Sequence, residues 1–375
     1  CGSGRSVPVS TAGQAGRRGM KLPGTARDCP GQSRATPGQK GILMTLDAAL
    51  PDYRIRSSQD PPGYPRQRHP DTYSISPDDT TYEQRRSAFI QHVLKNPAPE
   101  NAKPVWYELV RLAAGEEPHH GIIRAALKYI DDRRDCSDFV MHSVLRMLYQ
   151  FSPAGAELGI EQIGSISGDL QQEAERTVLG FKYFPDEPGI DSMCTWTENH
   201  YILFSSAAYL AGQLYPEGLF TNSGETGRDK MEKNRSRILK WLDLRFRTGF
   251  SEWLSHVYYD EDLAALLSLH DFVDDKEIRA KSEQVIHLLL LDMALNSFQG
   301  AFGCTHGRAY ETTKKWAAHE GTIDTMKLLF GMGVYSGFDN MSAPAFALSG
   351  YRVPLAITAV AGDPVEMIEN RQRMG

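Results

Sequence analysis

The sequence lacks three features that would define its class at once. It contains no run of eighteen apolar residues, so it predicts a soluble chain without a membrane-spanning helix. Its five cysteines lie far apart and form no C-x-x-C pair, which argues against a zinc knuckle and against a disulfide framework. It has no excess of basic residues, because 41 Lys and Arg stand against 47 Asp and Glu, and we therefore expect no nucleic-acid partner.

Motifs for metals and cofactors are also missing. The pair His319-Glu320 lacks the second histidine of an H-E-x-x-H zinc motif. Residues 131–135 match the D-D-x-x-D magnesium motif of prenyl-diphosphate enzymes, but the surrounding sequence is so polar that a solvated turn between helices is the favoured interpretation. The sequence therefore predicts neither a metal nor a cofactor.

Residues 1–80 have little periodic apolar pattern and contain ten Gly and ten Pro. Such a composition cannot offset the entropy of ordering by burial, so we predict a disordered, basic extension followed by one domain at 81–375. Translation from Met44 would give a cytoplasmic protein. A leader upstream of Cys1, which precedes Gly-Ser-Gly, would instead give a secreted or lipid-anchored one, and the compartment stays open.

From residue 81 the apolar residues recur at spacings of three and four, which is typical of amphipathic helices. No alternating run of β-branched residues competes, so the predicted fold class is all-α. Antiparallel helical hairpins without a repeat of fixed period favour an (α/α) toroid over an α-solenoid. The tail at 331–375 ends without a stop signal, and we interpret it as an interrupted end of the toroid. Ten helices are predicted, at 82–95, 104–114, 119–131, 137–150, 168–180, 197–215, 230–246, 260–273, 276–297 and 320–331.

The last four helices before residue 300 suggest where a site could form. If each runs antiparallel to the one before it, the segments 194–200, 249–259 and 303–310 all fall at the same end of the bundle. Each of the three segments carries aromatic residues together with His, Arg, Glu or Asn. Loops on a rigid helical scaffold commonly build binding and catalytic sites.

The first segment places Asn199 and His200 in the first turn of a helix. Thr195 and Glu198 match a capping box, which predicts Thr195 as the N-cap residue. The positive end of the helix dipole disfavours a protonated imidazole, so we expect a neutral His200 that can accept a proton. The alternative is a histidine packed beneath Trp196 without a chemical role.

The other two segments supply further candidates. Asp260 is predicted to cap the helix at 260–273. Arg308 follows Gly307 and can bind a carboxylate through two parallel hydrogen bonds. Trp253 and a tyrosine could stack on a sugar ring, or they could belong to the core. The remaining candidates in these segments are Glu252, His256, Tyr258, Tyr259, His306 and Tyr310.

The Asn199-His200 pair at a helix start, with Tyr, His and Arg arriving from later loops, resembles the (α/α)-toroid polysaccharide lyases of the alginate and chondroitin lyase type. The resemblance implies a β-elimination on a uronate-containing glycan without a metal. It further implies that Asn199 and Arg308 neutralise the uronate carboxylate, while His200 and one of Tyr258, Tyr259 or Tyr310 transfer protons. Trp196, Trp253, His256 and His306 would then contact the substrate.

Two other functions remain open. A six-hairpin glycoside hydrolase would share the fold and use Glu252 with Glu198, Asp260 or Glu261, at a separation of roughly 6.5–9.5 Å for inversion. A helical-repeat module that binds a protein or glycan without turnover is the non-enzyme alternative. The oligomeric state is not readable from the sequence.

Overall fold

A computed structural model of the chain describes residues 71–77, 79–96, 105–315, 317–335, 340–364 and 367–372, apart from the side chains of residues 312 and 317. The disorder predicted for residues 1–70 lies outside the described residues. Among the helices of the described residues, none is both long enough and apolar enough to cross a membrane.

The described chain is built from helices, and the predicted all-α class is confirmed. Two strands of two residues each, β1 (Leu219–Phe220) and β2 (Glu225–Thr226), form a small antiparallel pair. A short 3-10 helix covers Ala317–His319. The α-helices are α1 (Tyr82–Lys95), α2 (Val105–Ala113), α3 (His120–Asp131), α4 (Ser137–Phe151), α5 (Pro153–Glu157), α6 (Gly168–Gly180), α7 (Glu198–Leu214), α8 (Gly227–Thr248), α9 (Tyr258–Phe272), α10 (Lys276–Asn296), α11 (Glu311–Lys315), α12 (Ile323–Phe330), α13 (Ser342–Leu348) and α14 (Leu355–Gly362).

All ten predicted helices are present, and α1 and α6 begin and end where the sequence pattern places them. Four further helices, α5, α11, α13 and α14, span eight residues or fewer. Helices this short show too little apolar periodicity to be distinguished from turns in the sequence. The tail at 331–375, which we interpreted as an interrupted end, contributes α13 and α14 to the fold.

The helices divide into an inner and an outer set. Nearly every residue of α4, α7, α9 and α13 is buried, whereas α1, α3, α6, α8 and α10 bury one side only. A helix buried on all sides lies inside a fold. Contacts between helices run from α2 to α4, α7, α9 and α13 and then return to α2. This closed order is compatible with the predicted toroid.

The inner helix α4 carries a stripe of buried polar side chains at every fourth position. Asp138, His142, Arg146 and Gln150 share one face, because residues four apart lie one above the other on a helix. His142 bonds to a backbone carbonyl of α7, and Arg146 pairs with Asp271 of α9 at 2.8 Å. The stripe therefore fixes how α4 is rotated against its neighbours.

Two residues before α1 contact the C-terminal part of the fold. The carboxylate of Asp71 lies 2.6 Å from the ammonium of Lys327, and Ser74 forms a β-bridge with Gly333. Both residues belong to the stretch that composition assigned to the disordered extension. Residues 71–77 thus contact α12 and the segment that follows it, while the domain boundary at residue 80 stays a prediction.

Candidate functional site

Three loops meet at one end of α7, α8, α9 and α10, as the alternation of helix directions predicts. The carboxylate of Glu198, at the start of α7, accepts a hydrogen bond from the backbone N–H of Glu252 at 2.7 Å. The hydroxyl of Ser255 donates to the backbone carbonyl of Arg308 at 2.7 Å. The loop between α8 and α9 thus contacts both the first residue of α7 and the loop after α10.

A cluster of four polar side chains occupies this junction. One guanidinium nitrogen of Arg308 donates to Glu252 at 3.3 Å, and another donates to the hydroxyl of Tyr310 at 3.3 Å. The hydroxyls of Tyr258 and Tyr310 lie 2.9 Å apart. The Arg308 guanidinium also lies 4.8 Å from the centre of the Tyr258 ring. Tyr310 is 49% exposed while Tyr258 is buried, so the cluster reaches from the interior to the surface.

Two tryptophans belong to the same loops. Trp196 is 82% exposed, which is unusual for so large an apolar ring. Trp253 is half-buried, and its backbone carbonyl accepts a hydrogen bond from the N–H of Gly307 at 2.8 Å. A Cβ on Gly307 would lie 2.7 Å from the Trp253 ring, so a glycine is required there for the two loops to pack.

Glu252 is the carboxylate of this cluster. Burial raises its pKa, although Arg308 and, more weakly, His200 act in the opposite direction. Its Oε1 accepts the hydrogen bond from Arg308, whereas its buried Oε2 has no partner among the described residues.

Asn199 is not available to a substrate. Its side chain is fully buried, and its amide nitrogen donates to Glu261 of α9 at 2.9 Å. Its amide oxygen accepts from the hydroxyl of Thr197 and from the backbone N–H of His200, both at 2.5 Å. The polar groups of Asn199 thus bind within the protein, and its predicted contact with a uronate carboxylate stays a prediction.

His200 is also an interior residue. Only 5% of it is exposed, and its Nδ1 lies 2.6 Å from a carboxylate oxygen of Asp138 in α4. Its ring stacks on Phe139 with 5.0 Å between centroids. Burial raises the pKa of the Asp138 carboxyl, and its hydrogen bond to His200 opposes that rise. The alternative of a packed histidine describes this geometry, although Phe139 rather than Trp196 covers the ring.

Tyr259 and His256 are interior as well. The Tyr259 hydroxyl donates to Asp292 at 3.0 Å and accepts from a backbone N–H at 2.9 Å, so it cannot transfer a proton to a substrate at the surface. His256 is fully buried, with its Nε2 2.7 Å from the hydroxyl of Thr313. His306 is half-buried, and its ring centre lies 4.0 Å from that of His256. Tyr259 and His256 thus bind interior partners, and their predicted roles in catalysis and in substrate binding stay predictions.

The predicted capping box at the start of α7 is wrong. The helix begins at Glu198, after Thr197, and Thr197 makes no capping hydrogen bond with its side chain. Instead of folding back on Thr195, the Glu198 carboxylate accepts from two backbone N–H groups of the α8–α9 loop and pairs with Arg245. A tertiary contact has replaced the local one.

The predicted cap at Asp260 is also wrong. The helix α9 begins at Tyr258, so Asp260 is its third residue. The Asp260 carboxylate accepts hydrogen bonds from the backbone N–H groups of Met341 at 2.9 Å and Ser342 at 2.8 Å. Asp260 therefore binds the start of α13, not the start of its own helix.

Two acidic residues near the site did not stand out in the sequence. Asp138 holds His200, and its spacing of four from His142 was the signal that could have revealed it. Asp262 of α9 is buried, and burial raises its pKa well above the usual value, with Glu252 adding to the rise. No sequence signal separates Asp262 from its acidic neighbours Asp260 and Glu261.

The described residues contain no group of three or more His, Cys, Asp or Glu side chains that could hold a metal ion. No protein-family model, curated protein or solved structure matches the chain. The cluster of Arg308, Glu252, Tyr258 and Tyr310 carries the chemistry that indicates a function.

Proposed function

We propose that the protein is a carbohydrate-active enzyme that cleaves a uronate-containing glycan by β-elimination. The observation that carries this proposal is the cluster in which Arg308 contacts Glu252 and Tyr310 and lies over Tyr258. A β-elimination needs a cation for the substrate carboxylate and a proton-transfer group beside it. Arg308 and Tyr310 meet both needs at the exposed edge of the junction.

Arg308 is the residue proposed to bind the uronate carboxylate. A guanidinium has five N–H donors in a planar fork, and Glu252 and Tyr310 account for two of the donor contacts. The remaining donors suit a carboxylate, which they can bind through two parallel hydrogen bonds. This interaction stabilises the negative charge that develops when the proton next to the carboxylate is removed.

Tyr310 is proposed as the proton-transfer residue. In its phenolate form it removes the C5 proton, the electrons of that bond form a C4–C5 double bond, and the C4–oxygen bond breaks. The same tyrosine then returns the proton to the departing oxygen, so that no other reactant is consumed. Tyr258, whose pKa is raised by burial and by Tyr310, keeps its proton and donates a hydrogen bond to Tyr310.

Asn199 and His200 act as positioning residues in this scheme. Asn199 joins the start of α7 to α9 through Glu261, and His200 joins it to α4 through Asp138. Trp196, which is exposed on the loop before α7, is proposed as the platform for a sugar ring. The resemblance implies that Asn199 and His200 take part in the reaction. Their burial instead favours a role in positioning the start of α7.

The hydrolase alternative needs a second carboxylate beside Glu252, and its three candidates already bind other groups of the protein. Glu198 binds two backbone N–H groups and Arg245, Asp260 binds the start of α13, and Glu261 accepts from Asn199. An inverting hydrolase needs a carboxylate that can activate a water molecule, and each of these three already has protein partners.

The direct experiment incubates the full-length protein with alginate, pectate, hyaluronan and chondroitin and follows the ultraviolet absorbance of the new C4–C5 double bond. We expect absorbance with one of them, and a loss of at least ~100-fold in kcat for Tyr310→Phe without a change in the thermal midpoint. Arg308→Lys should keep the charge but lose the planar fork, so KM should rise.

Two outcomes would reject the proposal. New reducing ends without ultraviolet absorbance would identify a hydrolase. Binding of a glycan without any turnover, weakened by Trp196→Ala but unchanged by Tyr310→Phe, would identify the binding module.

A further inference from the structure

Glu252 and Arg308 form a partly buried ion pair that a substrate carboxylate would have to join. The Oε1 atom of Glu252 accepts from a guanidinium nitrogen of Arg308 at 3.3 Å. The side chain of Arg308 is 46% exposed and that of Glu252 only 12%, so a ligand from solvent reaches the guanidinium first. A carboxylate bound to the same guanidinium would lie in the range of ~4–6 Å from Glu252, where like charges disfavour each other.

The charges at this position balance only while no ligand is bound. Arg308 carries one positive charge and Glu252 one negative charge. The next cation along these contacts, Arg245, pairs with Glu198, whose carboxylate also accepts from the backbone N–H of Glu252. The neighbouring acid Asp262 is buried and adds no positive charge. A uronate carboxylate would therefore introduce an uncompensated negative charge at a place where burial already disfavours charge.

We propose that the protein takes up a proton from solvent when a uronate carboxylate binds Arg308, and that Glu252 is the group that accepts this proton. The inference rests on the proposed function, because it needs Arg308 to be the residue that binds the carboxylate. A neutral Glu252 leaves the full positive charge of Arg308 to the substrate carboxylate and to the negative charge that develops during the elimination.

The direction of the effect follows from the contacts of Glu252. Burial raises the pKa of Glu252 in the free protein, and the contact with Arg308 opposes that rise. When a ligand shares Arg308, this opposing effect weakens, and the second carboxylate raises the pKa of Glu252 further. The pKa of Glu252 is therefore higher in the complex than in the free protein. Binding takes up a proton between these two pKa values, and the affinity falls as the pH rises through that range.

Other titratable groups near Glu252 must be separated from it. They are Arg308 and Tyr310 of the loop after α10, Tyr258 and Asp262 of α9, and His200 of α7. Burial and Tyr310 raise the pKa of Tyr258, which therefore stays neutral at pH 8. Burial raises the pKa of Asp262 well above its usual value, and the charge of Glu252 adds to the rise. A protonated His200 would also attract an anion, so a variant of Glu252 is needed to identify the proton acceptor.

The experiment measures the binding of glucuronate to the full-length protein from pH 5 to pH 8, by the broadening of the sugar's nuclear magnetic resonance lines. Glucose, which lacks the carboxylate, is the neutral counterpart. The Kd of glucuronate should rise about tenfold over this range, as expected for a shift of one unit in the pKa of Glu252. Glucose binding should not change with pH, and Arg308→Gln should weaken the binding of glucuronate.

Glu252→Gln keeps an oxygen that can accept from Arg308 but cannot ionise. This variant should bind glucuronate equally well from pH 5 to pH 8, and at pH 8 it should bind about tenfold more tightly than the original protein. The control is Glu311→Gln, which removes an exposed carboxylate next to Tyr310 and should retain the pH dependence. Infrared difference spectra of the original protein need no variant, and glucuronate should increase the band of a protonated carboxyl at pH 7.

Four results separate the inference from the proposed function. A Kd that rises with pH in Glu252→Gln as well would mean that His200 or Asp262 takes up the proton, and the inference would be wrong. A Kd that is independent of pH in the original protein but raised by Arg308→Gln would reject the inference and keep the proposed function. Absence of binding at ~100 mM glucuronate, or equal binding by Arg308→Gln, would reject both. The expected pH dependence without ultraviolet absorbance from any polymer would keep the inference and reject the β-elimination.

Discussion

The carboxylate of Glu198 holds the backbone of Glu252, with 2.7 Å between the accepting oxygen and the amide nitrogen. The first residue of α7 therefore positions the loop that carries the carboxylate partner of Arg308. The same carboxylate accepts from Ser251 at 2.9 Å and pairs with Arg245. A single acidic side chain thus joins the start of α7 to the loop between α8 and α9.

Replacing Glu198 by Gln should destabilise the protein by about 2–4 kcal/mol, because the half-buried Arg245 loses its charged partner and one oxygen must serve two N–H donors. Urea unfolding measures this change. The matched control is Glu217→Gln, which breaks the exposed pair with Arg228 and should change little. If both substitutions had the same small effect, the Glu198 contacts would not support the loop.

The buried His142 should make the protein sensitive to acid. Burial lowers its pKa to about 4, while an unfolded histidine titrates near about 6.5. Between pH 6.5 and pH 4 the unfolded state binds a proton that the folded state does not bind. The free energy of unfolding is therefore highest above about pH 6.5 and decreases as the pH falls. The loss should reach roughly 3 kcal/mol by pH 4.

Urea unfolding at pH 7.0, 5.5 and 4.5 checks this prediction. His142→Gln should flatten the decline, because a glutamine can still donate to the backbone carbonyl of Leu203 but does not titrate. His120→Gln, on the exposed start of α3, is the control and should leave the decline unchanged. An unaltered pH dependence in His142→Gln would contradict the assignment.

Asp260→Ala should loosen α13. The substitution removes the acceptor for the backbone N–H groups of Met341 and Ser342, and the buried donors left behind should cost about 2–4 kcal/mol. Hydrogen exchange should accelerate at these two amides more than in α10. Exchange that accelerated equally in every helix would indicate global destabilisation instead of a lost cap.

Gly212→Ala should separate α7 from the start of α8. A Cβ at Gly212 would lie 2.4 Å from the backbone carbonyl oxygen of Gly227. Because the clashing atom belongs to the backbone, the helix itself would have to shift to relieve the clash. We expect a loss of about 1–3 kcal/mol, measured by the thermal midpoint. Gly121→Ala in α3 meets no atom within 4 Å and should be neutral or slightly stabilising, because alanine favours a helix.

Local signals predicted the parts of the fold that depend on local contacts. The start of α1 is an example, because the helix begins at the predicted residue 82, where Thr81 and Gln84 form reciprocal capping bonds. The meeting of the three loops was also predictable, because alternating helix directions fix which loops share an end.

Long-range contacts explain the failures. The burial of His200 depends on Asp138, which lies 62 residues earlier in the chain. Asp260 has the sequence context of a cap but binds backbone 81 residues away. In each case the side chain matches a local pattern, and a distant partner determines its contacts. A single sequence without an alignment contains no record of these pairs.

The contacts of α13 with α2 and α9 have a consequence for protein synthesis. The ribosome makes α13 after α2 and α9, so the circle of inner helices stays open while the helices from α2 to α12 have already been made. Until then Asp260 has no amide from residues 341 and 342 to bind, and part of the inner surface of α2 and α9 remains in water. Completion of this circle is therefore delayed until α13 has left the ribosome, and the exposed apolar surface favours association with a chaperone during that interval.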